Sequence, residues 1–435
     1  MLAPIIIAVA VCAAMIASVL FFPKLKIGKL KLNTYWLITL IGAAAVFLSS
    51  PTNVKTVWSA LIADSDVNPL KILVLFLSMT ALSVFLDEAG FFGKLANMAL
   101  AKNRAGQKGL FFSLYALVSV LTVFTSNDVI ILSFTPFICY FAKNAKISPL
   151  PYLASEFVAA NTWSIALIIG NPTNIYLASS AGIDFAQYLK YSIFPAVFGG
   201  GTALATLYLT FRKKLKEPLS CGTEEFKIKD KFLLIVGIVH LAVATVLLAV
   251  GPYIGLQMWL AAIAAAASLI IITLIYAAVR RKKPRELGAS LKRTPYEIIP
   301  FVLSMFVIVI VLDDVGVTAA IGKFLGADLQ ILKYGTLSFL SANLVNNIPM
   351  SVLFSSVLER SGVASIPALF ACIIGSNIGA YLTPIGALAG IMWSSIINKH
   401  GVKFGYADFL KIGALISVPA LFAALGGLWL AVTIF

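Results

Sequence analysis

Four polar, helix-breaking interruptions fall inside apolar stretches of this chain, two in each half. In the first half they read Thr125-Ser126-Asn127-Asp128 and Gly170-Asn171-Pro172-Thr173-Asn174. In the second they read Asn343-Leu344-Val345-Asn346-Asn347-Ile348-Pro349 and Leu382-Thr383-Pro384-Ile385-Gly386. Hydrocarbon offers no partner to a broken backbone, so such breaks persist at membrane depth only where protein encloses them or where they line a cavity. Matched breaks in two halves point to the binding site of a secondary transporter.

The setting must then be a membrane, and the composition agrees. Of 435 residues, 60% are hydrophobic and only 12% charged, against about 25% charged in soluble domains. Apolar runs over 2–22, 231–250, 257–279 and 296–312 have spanning length, since a crossing helix needs about 20 residues. The expectation is an all-α polytopic membrane protein with about 10–12 transmembrane segments. No basic stretch precedes the run at 2–22, so it reads as a retained helix rather than a signal peptide.

The net charge of +15 would suit nucleic acid if the basic residues were scattered. Instead they gather in alternate loops: Lys24 to Lys31, Lys94 to Lys108, Lys143 and Lys146, then 212–231, 280–293, and Lys399 with Lys403. Lys55, Lys71, Lys190, Lys323, Lys333 and Arg360 fall on the opposite side. Basic loops face the cytoplasm and lie against anionic lipid; no nucleic-acid partner is implied.

That sidedness threads the breaks. The segment 109–141 lies between two cytoplasmic-type loops and reads as a re-entrant hairpin turning at Ser126-Asn127-Asp128. The segment 330–358 lies between outer loops and would enter from the opposite face, turning near Asn346-Asn347. Opposite entry is what an inverted repeat requires. Leu77-Ser78-Met79 through Leu86-Asp87-Glu88-Ala89-Gly90 matches Leu303-Ser304-Met305 through Leu312-Asp313-Asp314-Val315-Gly316 at a constant offset. The organisation predicted is N-terminal transmembrane helices over 1–70, a first repeat over 71–211, cytoplasmic loops and linking helices over 212–295, and a second repeat over 296–435. Each repeat carries a hairpin and a broken helix.

Within the breaks, Asp128 stands out. A carboxylate at bilayer depth costs about 2.5–3.5 kcal/mol on insertion scales, so Asp128 reads either as a proton or cation ligand or as a cap on the helix that follows. Glu156, inside an apolar run, is the second candidate for proton coupling. Asn127, Asn171, Asn174, Asn346 and Asn347 supply amide donors and acceptors. Thr173 and Thr383 flank prolines that free carbonyls of the preceding turn; these seven residues are the candidate substrate ligands. Asp87-Glu88 and Asp313-Asp314 sit at helix ends and read as interfacial.

Other chemistries are weaker. Cys12, Cys139, Cys221 and Cys372 are scattered, without a C-x-x-C pair, so no thiolate or metal site is expected. His240 and His400 are the only histidines, too few for a histidine zinc site. The stretch from Gly316 to Lys323 has five residues between its glycines and Phe324 where a phosphate loop needs Ser or Thr, so no nucleotide site is expected. Neither a cofactor nor an enzymatic constellation is visible.

The motifs resemble a known family. Thr125-Ser126-Asn127-Asp128 with Ile131-Leu132-Ser133-Phe134-Thr135-Pro136 is similar to the hairpin of arsenite permeases. Ala160-Asn161-Thr162 through Asn171-Pro172-Thr173-Asn174-Ile175 resembles their next broken helix. Asn346-Asn347-Ile348-Pro349, Gly375-Ser376-Asn377-Ile378-Gly379 and Leu382-Thr383-Pro384-Ile385-Gly386-Ala387-Leu388-Ala389 resemble their second-half signatures. Two positions depart: Val129 follows Asp128 where the permeases usually have glycine, and Asn161 stands where some relatives carry aspartate. From about residue 75 onward the chain resembles the arsenical pump membrane subunit, within the ion transporter superfamily that also holds sodium/proton antiporters and dicarboxylate carriers. The resemblance implies two inverted repeats, a scaffold-plus-transport-domain homodimer with elevator motion, and a multi-pass location in the cell (inner) membrane. It implies export of arsenite or antimonite in exchange for protons; the scattered cysteines make the expected substrate the neutral trihydroxide. An ATPase subunit would attach at the basic cytoplasmic loops. The alternative is a sodium/proton antiporter or small-anion carrier.

Overall fold

The computed structural model describes residues 2–435 except 23, 28–29, 64–67, 103–105, 218–227, 229 and 361–364. Cys221 and several basic residues of the loop clusters, Arg104 among them, lie outside the described residues.

Helix α1 (Leu2–Phe21) leads into an antiparallel ribbon, β1 (Lys24–Ile27) and β2 (Leu30–Asn33), with Lys24 opposite Asn33 and Leu25 opposite Leu32. The ribbon is an exception to the all-helical expectation. Its cause is visible in hindsight: Lys24-Leu25-Lys26-Ile27 and Leu30-Lys31-Leu32 alternate with the period of a strand. Helices α2 (Thr34–Leu48) and α3 (Val54–Ile62) follow. Then come α4 (Pro69–Glu88), α5 (Phe91–Lys102), α6 (Gly106–Phe124), α7 (Asn127–Asn144), α8 (Leu150–Trp163), α9 (Pro172–Ser180) and α10 (Phe185–Phe211). Two apolar helices, α11 (Lys231–Val250) and α12 (Met258–Val279), and the amphipathic α13 (Arg285–Arg293) form the link. The chain ends with α14 (Ile298–Asp314), α15 (Val317–Leu325), α16 (Gln330–Val345), α17 (Asn347–Arg360), α18 (Ile366–Gly379), α19 (Leu388–Lys399) and α20 (Tyr406–Ile434).

One order of elements occurs twice. A long helix, a short helix, two helix–break–helix units and a long helix make up α4–α10 and again α14–α20. Eight helical segments among the described residues are long and apolar enough to cross a membrane, and Thr34–Leu48 and Ile366–Gly379 are apolar but shorter. The local signals for where helices start are polar caps ahead of apolar runs. Asn68 accepts from the N–H groups of Leu70 and Lys71 at 2.8 and 3.2 Å, with Pro69 opening α4. Asp184 caps α10 through the Gln187 N–H at 2.8 Å, and Asp230 caps α11 through Phe232 at 2.9 Å.

The acidic pairs that end α4 and α14 are held rather than free. Arg293 of α13 reaches Asp87 at 2.7 Å and Glu88 at 2.6 Å. Arg360 bridges to Asp313 at 2.8 Å, and Asp314 accepts from Thr52 at 2.7 Å.

The two series interlock. α10 lies along α20, α6 along α8 and α16 along α18; α7 packs on α19 while α17 packs on α9. Each second hairpin arm thus rests on the second half of the other series' broken helix. Small residues allow the closest approaches, as expected where lipid gives no hydrophobic drive between helices. A Cβ at Gly375 of α18 would lie 2.5 Å from the Gly335 carbonyl of α16, and one at Gly427 of α20 would lie 2.8 Å from the Phe194 carbonyl of α10. A second apolar core forms where α1, α2, α4 and α14 meet Tyr176 of α9 and Ile348 and Val352 of α17.

Candidate binding site at the helix breaks

α6 stops at Phe124, where Thr125 donates its hydroxyl to the Leu121 carbonyl at 2.8 Å. Ser126 takes extended backbone (φ −111°, ψ 144°) at the start of α7 and makes no side-chain cap bond. Asp128 lies in the first turn of α7, where the helix dipole favours an anion. Its carboxylate is only 6% exposed and accepts no hydrogen bond from a described residue. Ser126 holds the N-cap position, so Asp128 makes no cap hydrogen bond and has only the dipole in its favour. Asn127 turns the other way and donates to Asn161 Oδ1 at 2.9 Å.

The break between α8 and α9 is wider. After Trp163 the chain turns through Ser164 to Leu167, makes one 3-10 turn over Ile168–Gly170, and re-enters helix at Pro172. Gly170 packs directly on the Ser164 carbonyl, leaving no space for a Cβ. Carbonyls freed by the break are recovered by Asn174, whose Nδ2 donates to the oxygens of Ser164 at 2.7 Å and Leu167 at 3.2 Å. Asn171 caps α9 by accepting from the Thr173 N–H at 3.1 Å.

The α8–α9 break converges on Asn377 of α18, and the α6–α7 break joins it through Asn161. Its Oδ1 accepts from Asn171 Nδ2 at 2.9 Å and from the Ser164 hydroxyl at 2.7 Å. Its Nδ2 donates to Asn174 Oδ1 at 2.7 Å and to the Ile373 carbonyl at 2.8 Å. The Ser164 hydroxyl is also 2.7 Å from the Asn161 carbonyl. Asn127, Asn161, Ser164, Asn171, Asn174 and Asn377 thus form one buried polar network spanning both halves.

A second polar knot closes the remaining breaks. Asn346 is the single residue between α16 and α17, with φ 76° and ψ 153°, a strained positive-φ conformation outside the αL region and close to one that glycine alone adopts readily. Its Nδ2 donates to the Ile385 carbonyl at 2.9 Å, and the Asn347 N–H donates to Gly386 at 3.0 Å. Thr383 donates to Asn343 Oδ1 at 2.7 Å, while Asn343 Nδ2 donates to Gly379 at 3.0 Å. Thr162 and Tyr381 join the two knots through their hydroxyls at 3.1 Å.

All nine residues singled out from the sequence are buried, but not all together. Asn127, Asn171 and Asn174 belong to the first knot, and Asn346, Asn347 and Thr383 to the second. Thr173 lies between Asn171 and Asn174 on α9 with its Oγ1 unpartnered, as are Asn347 Oδ1 and Ser376 Oγ. Glu156 stands apart. Its carboxylate accepts from Thr135 at 3.1 Å, and Thr135 is seven residues beyond Asp128, about 10 Å along α7. The Trp393 indole faces the same carboxylate, with its N–H outside hydrogen-bond geometry.

Asn377 was not among the candidate ligands, because it lies in the last turn of α18, ahead of the Leu382–Gly386 interruption rather than in it. The available signal was an amide inside an apolar helix. Asn161, which stands where some relatives carry aspartate, accepts from Asn127 here. Among the described residues, free Cys12, Cys139 and Cys372 lie on α1, α7 and α18, and no three His, Cys, Asp or Glu gather.

Comparison with known proteins places the chain in a family. The resemblance read from the motifs extends over most of the chain: the arsenical pump membrane protein of Escherichia coli K12 is 26% identical over 371 residues, covering 81% of this chain and 84% of that protein. The arsenical pump membrane protein of Yersinia enterocolitica is 26% identical, covering 82% and 86%. A 46 kDa membrane protein of Mycobacterium leprae is 24% identical, covering 91% and 92%. The crystal structure of the Alcanivorax borkumensis YdaH transporter matches in fold at TM-score 0.51 and 12% identity, covering 99% of both chains. The family profile described as citrate transporter (CitMHS) matches residues 2–365, and the chain belongs to that family of multi-pass membrane transporters.

Proposed function

We propose that this chain is a secondary active transporter that exports arsenite or antimonite, as the neutral trihydroxide, in exchange for protons. The observation that carries the reading is the character of the breaks: buried amides and hydroxyls, one carboxylate at Asp128, and no Lys or Arg. A neutral polyhydroxylated solute needs many neutral donors and acceptors and no counter-charge. The names of the arsenical pump relatives support the same substrate class.

In this reading Asn127, Asn171, Thr173, Asn174, Asn346, Asn347 and Thr383 hold the solute, and Asp128 carries the proton. Protonated from outside, Asp128 is neutral and its hairpin can cross; deprotonated inside, it leaves the site ready for solute. Glu156 is the second candidate for coupling. The two interlocked series act as inverted repeats, boundaries near 71–211 and 296–435, within a homodimer that works by elevator motion in the cell membrane. Anionic lipid meets the basic loops, which could also receive an ATPase subunit.

The second reading is a small-anion carrier, favoured by the citrate-transporter profile, or a sodium/proton antiporter. Anion carriage fits less well, since a desolvated carboxylate is recognised by cations, Arg above all, and the breaks contain none. Everted membrane vesicles decide. Arsenite uptake driven by an acid interior supports export; citrate uptake, or sodium-driven proton flux, without arsenite movement would overturn it.

A further inference from the structure

A cavity of about 750 Å³ opens beside the exposed Glu359, between α9, α14, α17 and the start of α18. The basic-loop distribution assigns this end to the non-cytoplasmic face. Among the described residues its polar lining consists of the Tyr176, Ser180, Ser355, Ser356 and Ser365 hydroxyls and the Gln187 amide, with Glu359 as the one charged group. Toward the helix breaks it stops at a wall. Beyond that wall a void of about 20 Å³ is lined by Pro172, Ile348 and Ser351 together with apolar residues of α4 and α14. Such a space holds at most about one water, and its lining is apolar.

Three residues border both spaces: Tyr176, Phe306 and Val352. They come from α9, α14 and α17. The Tyr176 ring meets Phe306 edge to face, with centroids 5.3 Å apart, and the Ser355 hydroxyl reaches the Tyr176 hydroxyl at 3.3 Å. The Tyr176 side chain is 6% exposed and stands four residues beyond Pro172, one turn along α9 from Asn171 and Thr173. Any solute passing from the cavity to the breaks along this line must move it.

We propose that Tyr176, latched by Ser355 and Phe306, is the gate between an outer vestibule and the helix-break site, and that the vestibule admits neutral hydroxylated solutes and cations while disfavouring anions. The proposal rests on the breaks being the transport site. The wall is weak by design of its parts. One neutral hydrogen bond and one aromatic pair join helices that otherwise meet through Val352 and other apolar contacts, so a small shift of α9 and α17 against α14 opens it. Tyr176 acts as a positioning and gating residue here. The vestibule's selectivity follows from the Glu359 carboxylate, with no cation among the described lining residues, because a like charge at an enclosed mouth repels anions.

The test is thiol accessibility in intact cells, in full-length protein with Cys12, Cys139, Cys221 and Cys372 replaced by alanine. Ser356→Cys reports the vestibule and Ser351→Cys, buried at 1% exposure, reports the space beneath the wall. With the impermeant cationic reagent 2-(trimethylammonium)ethyl methanethiosulfonate, Ser356→Cys reacts readily and Ser351→Cys slowly. Adding Tyr176→Ala raises the Ser351→Cys rate about tenfold, equivalent to ~1.4 kcal/mol, and leaves Ser356→Cys unchanged. Tyr176→Phe keeps the ring and gives a smaller rise of the same sign, which serves if the alanine variant fails to insert. A Ser351→Cys rate unmoved by either substitution, or equal to that of Ser356→Cys from the start, overturns the gate. An anionic reagent of the same size reacting faster at Ser356→Cys overturns the selectivity. These readouts need no arsenite, so a failed arsenite flux with the labelling pattern intact removes the substrate reading and leaves the gate.

Discussion

Asn161 and Asn377 occupy the same position, the twelfth, of two 14-residue helices, and each donates its amide to the carbonyl four residues back, Phe157 at 2.8 Å and Ile373 at 2.8 Å. Each then offers its oxygen outward, Asn161 to Asn127 and Asn377 to Asn171 and Ser164. An amide whose nitrogen is tied to its own helix is a fixed acceptor. In hydrocarbon that fixes the position of whatever donates to it. The same device thus ties α7 to α8 within the first half through Asn161, and ties the first half to the second through Asn377.

Asn377→Leu removes the shared acceptor and leaves Asn171, Ser164 and Asn174 each short of a partner. Buried membrane hydrogen bonds average about 0.6 kcal/mol each and reach about 1.7, so the loss is roughly 2 kcal/mol. A lower thermal midpoint in detergent, together with lost flux, is the expected result. An unchanged midpoint would show that the network does not register the halves.

Asp128→Asn keeps the shape of the side chain and abolishes its charge. The variant is expected to insert and to retain the wild-type thermal midpoint, because no described residue bonds to the carboxylate. Proton-driven arsenite uptake in everted vesicles should fall to background. Full flux with undiminished dependence on the pH gradient would remove Asp128 from coupling.

Glu156→Gln tests the other carboxylate. Thr135 can still donate to the amide oxygen, and the residue is two helical turns from the breaks. Flux is expected to stay within about threefold of wild type, the equivalent of roughly 0.6 kcal/mol. A loss as deep as that of Asp128→Asn would make Glu156 the carrier.

Gly375→Val drives a branched side chain into the Gly335 carbonyl, where even a Cβ stands at 2.5 Å. Overpacking of this kind costs about 1–3 kcal/mol, and here it parts α16 from α18. The variant should accumulate poorly and unfold at lower temperature. Gly201→Ala, on the exposed side of α10 with open space around it, should be much milder.

Replacing all four cysteines with alanine should leave arsenite transport near wild type. The described thiols sit on three separate helices, and the proposed ligands are amides and hydroxyls. Loss of arsenite binding in a folded cysteine-free protein would point to thiolate capture instead.

Much of this was legible residue by residue. The breaks at Ser126, Asn171, Asn346 and Thr383 declared themselves because a polar or proline-containing segment inside an apolar run has few alternatives. The likeness of Leu77-Ser78-Met79 to Leu303-Ser304-Met305 revealed the doubled order of elements. The ribbon at Lys24 to Asn33 was hidden, since short alternating stretches are overshadowed by a basic composition that reads as loop. Glu156 and Asp128 looked alike as buried carboxylates; only folding put one beside Thr135 and left the other without a partner.

By itself the sequence determined the solvent, the segments that cross it and the places where helices must break, because each is a local consequence of denying water to a backbone. The tertiary structure alone decided which amides meet. Asn171 and Asn377 are 206 residues apart, and nothing local to either encodes the other. It also decided that Tyr176 seals a vestibule, since a wall drawn from α9, α14 and α17 exists only once three distant helices pack side by side.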